Sequence, residues 1–222
     1  MAKIAFFDFD GTLLRRDSGV ICAVPSMRRG LVGPALFAEL CGTWLLSKVG
    51  LRTRTDAMRV GFRCYAGRSL DELRGIMRVL HHDHLRGALS SPMLERVRAH
   101  HAAGDRLVIL TASAFFVAEP IAEDLGFDDL RGTQVGFAGG RCPGLVEGEI
   151  LDGAAKLAAA RRSAAAAGVD LAGCVFYTDH VADLPLLEAV GTPVAVGSRR
   201  ALGKVARARG WSVVPHGARV IP

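Results

Sequence analysis

A chain of 222 residues that is 50% hydrophobic can bury one substantial core and a smaller accessory lobe, which excludes a disordered tail and a small stapled scaffold. Its formal charge of +6 rests almost wholly on arginines spread along the chain without interleaved aromatics, so specific nucleic-acid binding is not expected and attraction of small anions is. The five cysteines, Cys22, Cys41, Cys64, Cys142 and Cys174, are odd in number and never paired as Cys-x-x-Cys, which argues against disulfide or zinc frameworks and for a reducing compartment.

The first element is a short apolar run, residues 4–7, that reads as a buried strand beginning too near Met1 to leave room for a secretory signal; a cytoplasmic protein is expected. It runs directly into Asp8-Phe9-Asp10-Gly11-Thr12. Carboxylates are costly to bury unless paired or holding a cation, so two at the tip of a hydrophobic strand point to a metal or a reacting group. Gly11 and Thr12 permit a tight turn and offer N–H groups and a hydroxyl to an anion.

Residues 15–89 break the strand rhythm: the apolar spacing is helical throughout, which predicts an inserted α-helical lobe. Within it, residues 31–49 carry only Glu39 and Lys48 as charges. Gly33, Pro34 and Gly42 interrupt this stretch, so a buried or groove-lining helix is expected rather than a membrane contact. His81-His82-Asp83-His84 reads as a solvated helix face, because adjacent residues on a helix point in different directions.

From residue 90 onward strands and helices alternate. Strands are expected at 107–111, 174–178, 193–196 and 211–214, and helices near 91–101, 115–125, 153–167, 184–190 and 199–209. The glycine-rich stretch 128–148 reads as a β-hairpin or flap near the sheet's edge. Alternating buried strands and helices imply an α/β fold, a Rossmann-like three-layer parallel sheet built from residues 1–14 and 90–222, with residues 15–89 as the α-helical cap and a small β flap.

The polar residues collect at the C-terminal strand tips, where open parallel sheets bind ligands. Asp8 and Asp10 follow the first strand, Thr111 and Ser113 the second, Asp179 and Asp183 the third. Lys156, one of four lysines in the chain, opens an alanine-rich helix after the flap, where a compact charge can reach a phosphate. One shared polar site explains these placements together.

This constellation resembles the haloacid dehalogenase superfamily of phosphohydrolases, and within it the phosphoserine-phosphatase-like branch. Asp8-Phe-Asp-Gly-Thr-Leu matches that superfamily's first motif, Thr111 its second, Lys156 its third and Thr178-Asp179-His-Val-Ala-Asp183 its fourth, with a helical insertion after the first. The resemblance implies a phosphatase acting on a small phosphate monoester. Asp8 is then the nucleophile that becomes phosphorylated, and Asp10 the acid that protonates the leaving alcohol and later activates water. Mg²⁺ is the implied cofactor, held by Asp8, the backbone carbonyl of Asp10 and Asp179, with Asp183 completing or supporting the shell. Thr111 and Lys156 would bind the phosphoryl oxygens, assisted by N–H groups of the Asp10–Gly11 turn and of Ala112; Ser113 would contact substrate or cap the following helix.

The insertion is similar to the cap of this branch. Asp17 stands where phosphoserine phosphatases hold the substrate's ammonium group, and Arg59 and Arg63, one helical turn apart, are candidates for its carboxylate. Two departures set this chain apart: Thr-Ala-Ser replaces the usual Ser-Gly-Gly at the second motif, and Asp17 is one methylene shorter than the usual Glu. The apolar cap around Phe37 and Trp44 equally suits a lipid-like alcohol. A phosphate-binding module without turnover, and phosphoryl transfer to an alcohol instead of water, are open uses of the same residues.

Overall fold

The computed structural model describes residues 3–197 and 201–217. Six parallel strands form one sheet in the order β3-β2-β1-β4-β5-β6: β1 (Ile4–Phe7), β2 (Arg106–Ala114), β3 (Asp129–Thr133), β4 (Val175–Thr178), β5 (Thr192–Val196) and β6 (Ser212–Val214). β1 pairs with β2 on one side and β4 on the other, so every residue of β1 is buried. Its alternation assigns the two faces of the core. Ala5 and Phe7 join a cluster built with α4 (Leu70–Leu80), α5 (Ser91–Ala102) and α6 (Phe115–Asp124). Ile4 and Phe6 join the opposite cluster with α7 (Ala154–Ala166), α8 (Leu184–Leu187) and α9 (Ala201–Ala208). This is the expected three-layer α/β arrangement.

Between β1 and β2 the chain is helical, with α1 (Ser18–Arg28), α2 (Pro34–Lys48) and α3 (Arg54–Phe62) preceding α4. Thr53 and Ser69 start α3 and α4 through reciprocal capping boxes with Asp56 and Glu72. The insertion leaves and rejoins the core side by side: Leu14 bridges Leu89, Ser90 N–H donates to the Leu13 carbonyl at 2.8 Å and Arg15 N–H to that of Ala88 at 3.0 Å. α4 is laid on the core through Leu73, Met77 and Leu80, with a bidentate Arg74–Glu119 pair at 2.7 Å to α6.

Several elements differ from expectation. The stretch 128–148 opens with β3, an edge strand whose Asp129-Leu-Arg-Gly-Thr lacks a buried apolar run because only part of it is covered. The flap follows as the Val135–Val146 and Ala138–Arg141 bridges, and it holds the insertion through Gly67 N–H to the Cys142 carbonyl and Cys142 N–H to the Arg68 carbonyl, both 2.8 Å. β2 runs on to Ala114 past an irregularity after Thr111. α8 ends at Leu187, and of the expected helix over 199–209 the first two residues lie outside the described range. His81 is buried, its Nε2 3.5 Å from Asp124, so the histidine cluster is not wholly a solvated face. The largest departure is α2, expected to be buried or groove-lining: none of its described residues is buried.

Candidate active site

The tips of β1, β2 and β4, the three central strands, converge at the carboxyl edge of the sheet. Asp8 continues β1 by donating its N–H to the Tyr177 carbonyl at 2.9 Å, and its side chain is buried where the strand ends. Its Oδ1 accepts from Phe9 N–H at 2.8 Å and from Lys156 Nζ at 2.7 Å. The turn beyond is open to glycine alone: Gly11 has φ of 75°, and a Cβ there would stand 2.5 Å from Asp179 Oδ2. Thr12, also in the turn, places its hydroxyl 3.5 Å from Asp179 Oδ1.

Lys156 reaches this point because Gly153, at φ of 50°, starts α7 tightly against the Ala182 carbonyl. The ammonium is 2% exposed and also donates to Asp183 Oδ2 at 2.9 Å. Asp183 is fully buried and makes no cap bond to α8; its side chain faces the site. Thr178, at the tip of β4, joins the two carboxylates, its hydroxyl 2.6 Å from Asp183 Oδ2 and 3.2 Å from Asp8 Oδ2. Thr178 lay inside the fourth motif but had no role from sequence; a hydroxyl at a strand tip, as at Thr111, is the signal that could have found it.

Asp10 occupies a different environment. Its carboxylate is held by the Ser18 N–H at the start of α1 and by the Ser113 hydroxyl at 2.6 Å. Ser113 therefore serves Asp10 rather than capping α6, whose N-cap Ala114 has no side-chain bond. Thr111 is buried, and its Oγ1 accepts from Ser113 N–H at 3.0 Å, which leaves its own proton to donate. Ala112 is fixed between them by the Thr133 hydroxyl on its carbonyl at 2.7 Å.

The two carboxylates of the first motif are thus tuned separately. Burial pushes Asp8 up to about 6, the Lys156 ammonium opposing and the Asp183 charge adding to the rise. Burial also raises Asp10, against the hydrogen bonds from Ser113 and Ser18 and with a further push from the Asp17 charge. Burial works against the Lys156 charge, but the Asp8 and Asp183 carboxylates outweigh it and raise its pKa. A raised Asp10 suits a proton donor, and an Asp8 clamped by an ammonium suits a nucleophile.

The donor set fits a hard divalent cation. Asp8 and Asp183 share the buried Lys156 ammonium, a third buried carboxylate, Asp179, lies against the Gly11–Thr12 turn, and Asp183 Oδ1 has no hydrogen-bond partner. All the donors are oxygen, the ligand type of Mg²⁺. Among the described residues no three acidic, histidine or cysteine side chains converge on one point, so a cation here would add carbonyl and water ligands. The Asp10 carboxylate is taken up by the Ser18 N–H and the Ser113 hydroxyl.

The cap residues separate. Asp17 is exposed at the start of α1, and its charge is felt at Asp10. Arg59 and Arg63 are exposed on and just after α3, and Arg63 is engaged by Glu39 at 2.5 Å. A guanidinium of α3 that sequence reasoning missed, that of Arg54, reaches the fourth-motif segment: it lies 3.0 Å from Asp152 and 3.1 Å from His180 Nδ1. His180 Nδ1 also accepts from Ala182 N–H at 3.2 Å, and burial followed by the Arg54 charge lowers the pKa of the ring.

This carboxylate–lysine centre at the tips of a parallel sheet, below a helical insertion, is that of a family of hydrolases: residues 5–188 match the haloacid dehalogenase-like hydrolase family, and the chain belongs to it. It falls within the phosphoserine-phosphatase-like branch. Phosphoserine phosphatase SerB1 of Mycobacterium tuberculosis is 30% identical over 222 residues, covering 96% of this chain and 70% of that protein. A histidinol-phosphatase of Neisseria meningitidis is 27% identical over 96% of this chain and 99% of its own length. A crystal structure of a protein of unknown function from Bordetella pertussis superposes with a TM-score of 0.87 at 32% identity, covering 97% of this chain and all of that one.

Proposed function

We propose that this phosphatase is a Mg²⁺-dependent phosphomonoesterase working through an aspartyl-phosphate on Asp8. The observation that carries the reading is the difference in partners between the two first-motif carboxylates: burial raises both, but Asp8 is paired with the Lys156 ammonium at 2.7 Å, whereas Asp10 has no such cation and is held by the Ser113 hydroxyl and the Ser18 N–H. An Asp8 oxygen attacks phosphorus in line. The bond from phosphorus to the leaving oxygen breaks as Asp10 gives that oxygen its proton, releasing the alcohol. Water then attacks the same phosphorus, Asp10 takes its proton, the Asp8–phosphorus bond breaks, and inorganic phosphate leaves. Lys156 neutralises charge on the transferring group, and the Thr111 hydroxyl with the Ala112 N–H faces its oxygens. Asp8, Asp179 and the Asp10 carbonyl would hold Mg²⁺, with Asp183 in support, and the ion would supply Lewis-acid neutralisation of the phosphoryl oxygens.

Residues 15–89 serve as the cap that closes over substrate and excludes water. The substrate class is a small phosphorylated amino alcohol: the two named relatives act, by name, on phosphoserine and histidinol phosphate, which both carry an amine near the ester. Asp17, whose charge acts on Asp10, is the candidate to meet that ammonium. The test is phosphate release from phosphoserine, histidinol phosphate, choline phosphate, sugar phosphates and a lysophosphatidate, with and without Mg²⁺. Asp8→Asn should lower kcat on the order of 10⁴-fold or more, and the amino-alcohol esters should lead the panel. Turnover surviving in Asp8→Asn would remove the nucleophile assignment.

A further inference from the structure

A helix whose apolar residues are not confined to one stripe needs cover on more than one side, and α2, whose charged residues are Glu39 and Lys48, is left uncovered at its C-terminal end. Its C-terminal end and the turn into α3 expose Trp44 by 51%, Leu45 by 59%, Val49 by 63% and Leu51 by 72%. The stretch is expected to be buried or to line a groove, and the structure leaves these side chains exposed. Basic residues outnumber acidic ones around it. Residues 40–55 include Lys48, Arg52 and Arg54 and no acid; of the two flanking acids, Glu39 is paired with Arg63 and Asp56 accepts from the Thr53 N–H at 3.0 Å. Arg54 is turned inward to Asp152, and Arg52 stands exposed at the turn.

No helix among the described residues is long and apolar enough to cross a membrane, and α2, with 15 residues, is only about 22 Å long. An embedded span is therefore excluded for it, but not a shallow contact. We propose that the α2–α3 turn docks on an anionic lipid bilayer: Leu45, Val49 and Leu51 enter the boundary between headgroups and acyl chains, the Trp44 indole sits at headgroup level, and Arg52 meets lipid phosphates. A second copy of the chain covers the patch less well, because a two-fold contact through this turn sets two acid-free, basic segments against each other. The contact does not depend on the phosphatase chemistry.

The test uses the full chain carrying Trp211→Phe, so that Trp44 is the remaining one of the chain's two tryptophans. The protein is mixed with phosphatidylcholine vesicles with and without phosphatidylglycerol. Co-sedimentation with the phosphatidylglycerol vesicles, a shift of Trp44 emission to shorter wavelength, and weakening by added salt are expected. The variant Leu45→Ser/Val49→Ser/Leu51→Ser should keep its circular dichroism and melting temperature while binding about tenfold or more weakly. Leu51→Glu, at the most exposed of these positions, gives the same comparison should the triple variant melt early. Absence of sedimentation together with unshifted Trp44 emission would overturn the proposal, as would equal binding by the folded variants. Light scattering that reports a dimer abolished by the triple substitution would assign the patch to a second copy instead.

Discussion

Replacing Lys156 by methionine removes one charge from the centre of the site and keeps most of the side chain's volume. Its Nζ lies 2.7 Å from Asp8 and 2.9 Å from Asp183 at 2% exposure, so the substitution leaves buried carboxylates with no counter-charge. Breaking a buried pair in this way costs about 3–5 kcal/mol. For a chain of this length each kcal/mol moves the melting temperature by about 2–4 °C, so Lys156→Met should melt about 6–20 °C lower at neutral pH without added metal. The deficit has a defined pH dependence. Asp8 is already raised to about 6 beside the lysine, chiefly by burial, and without that ammonium it rises further. A carboxyl whose folded pKa lies above its unfolded value carries a penalty that is full above the folded pKa and disappears as pH falls below the unfolded one. The gap between Lys156→Met and the natural chain should therefore narrow at mildly acidic pH. Adding Asp183→Asn to Lys156→Met should recover part of the stability, since one of the uncompensated charges goes with it. Thermal melts of the three proteins at neutral and acidic pH make the measurement. A neutral-pH melting temperature within about 2 °C of the natural chain, or a gap that widens on acidification, would refute the charge balance drawn for the site.

Asp10→Asn should leave the fold intact and lower kcat by about 10²–10⁴-fold for alkyl phosphates. Its effect should be smaller for p-nitrophenyl phosphate, whose leaving oxygen needs no proton; equal losses on both esters would remove the acid role. Mg²⁺ affinity measured by calorimetry should weaken by about tenfold per pH unit below the Asp8 value near 6, because the cation and the proton compete for the same carboxylate, and a flat profile would take Asp8 out of the metal's shell. Arg54→Ala cuts the contact from α3 to Asp152 and His180. Because that pair is part-exposed, stability should change by no more than about 1 kcal/mol. KM should rise more than kcat falls, as steady-state kinetics would show; unchanged KM would mean that the contact plays no part in holding substrate under the insertion.

What the sequence makes legible is what local pattern encodes. Strands β1, β2 and β4 are runs of buried apolar residues that end in a carboxylate or hydroxyl, so both the strand and its functional tip can be read together. β3 could not be read this way, because an edge strand half open to solvent carries Asp129 and Arg131 where a central strand would carry valine or isoleucine. Within the site, Asp8, Asp10, Lys156, Asp179 and Asp183 are brought together as the motif order suggests, since each sits within a few residues of a strand or helix terminus whose position the sheet dictates.

The cap residues show where such reading stops. Helical spacing places Arg59 and Arg63 on neighbouring turns of one helix, but it does not say which way that face points, and Arg63 turns out to Glu39. Arg54 acts across 126 residues of chain, from the first turn of α3 to His180. That separation has no local signature: the capping box at Thr53 marks where the helix begins, and the docking of the whole insertion decides that its first guanidinium meets the core. α2 fails for the opposite reason. Its composition is mostly apolar, so a buried or groove-lining helix is expected, yet either needs a partner surface, and among the described residues α2 packs chiefly on α3. A mostly apolar helix end left exposed by its own chain is the observation behind the proposed lipid contact, and Arg52 at the turn beyond Trp44 sets the charge that such a surface should carry.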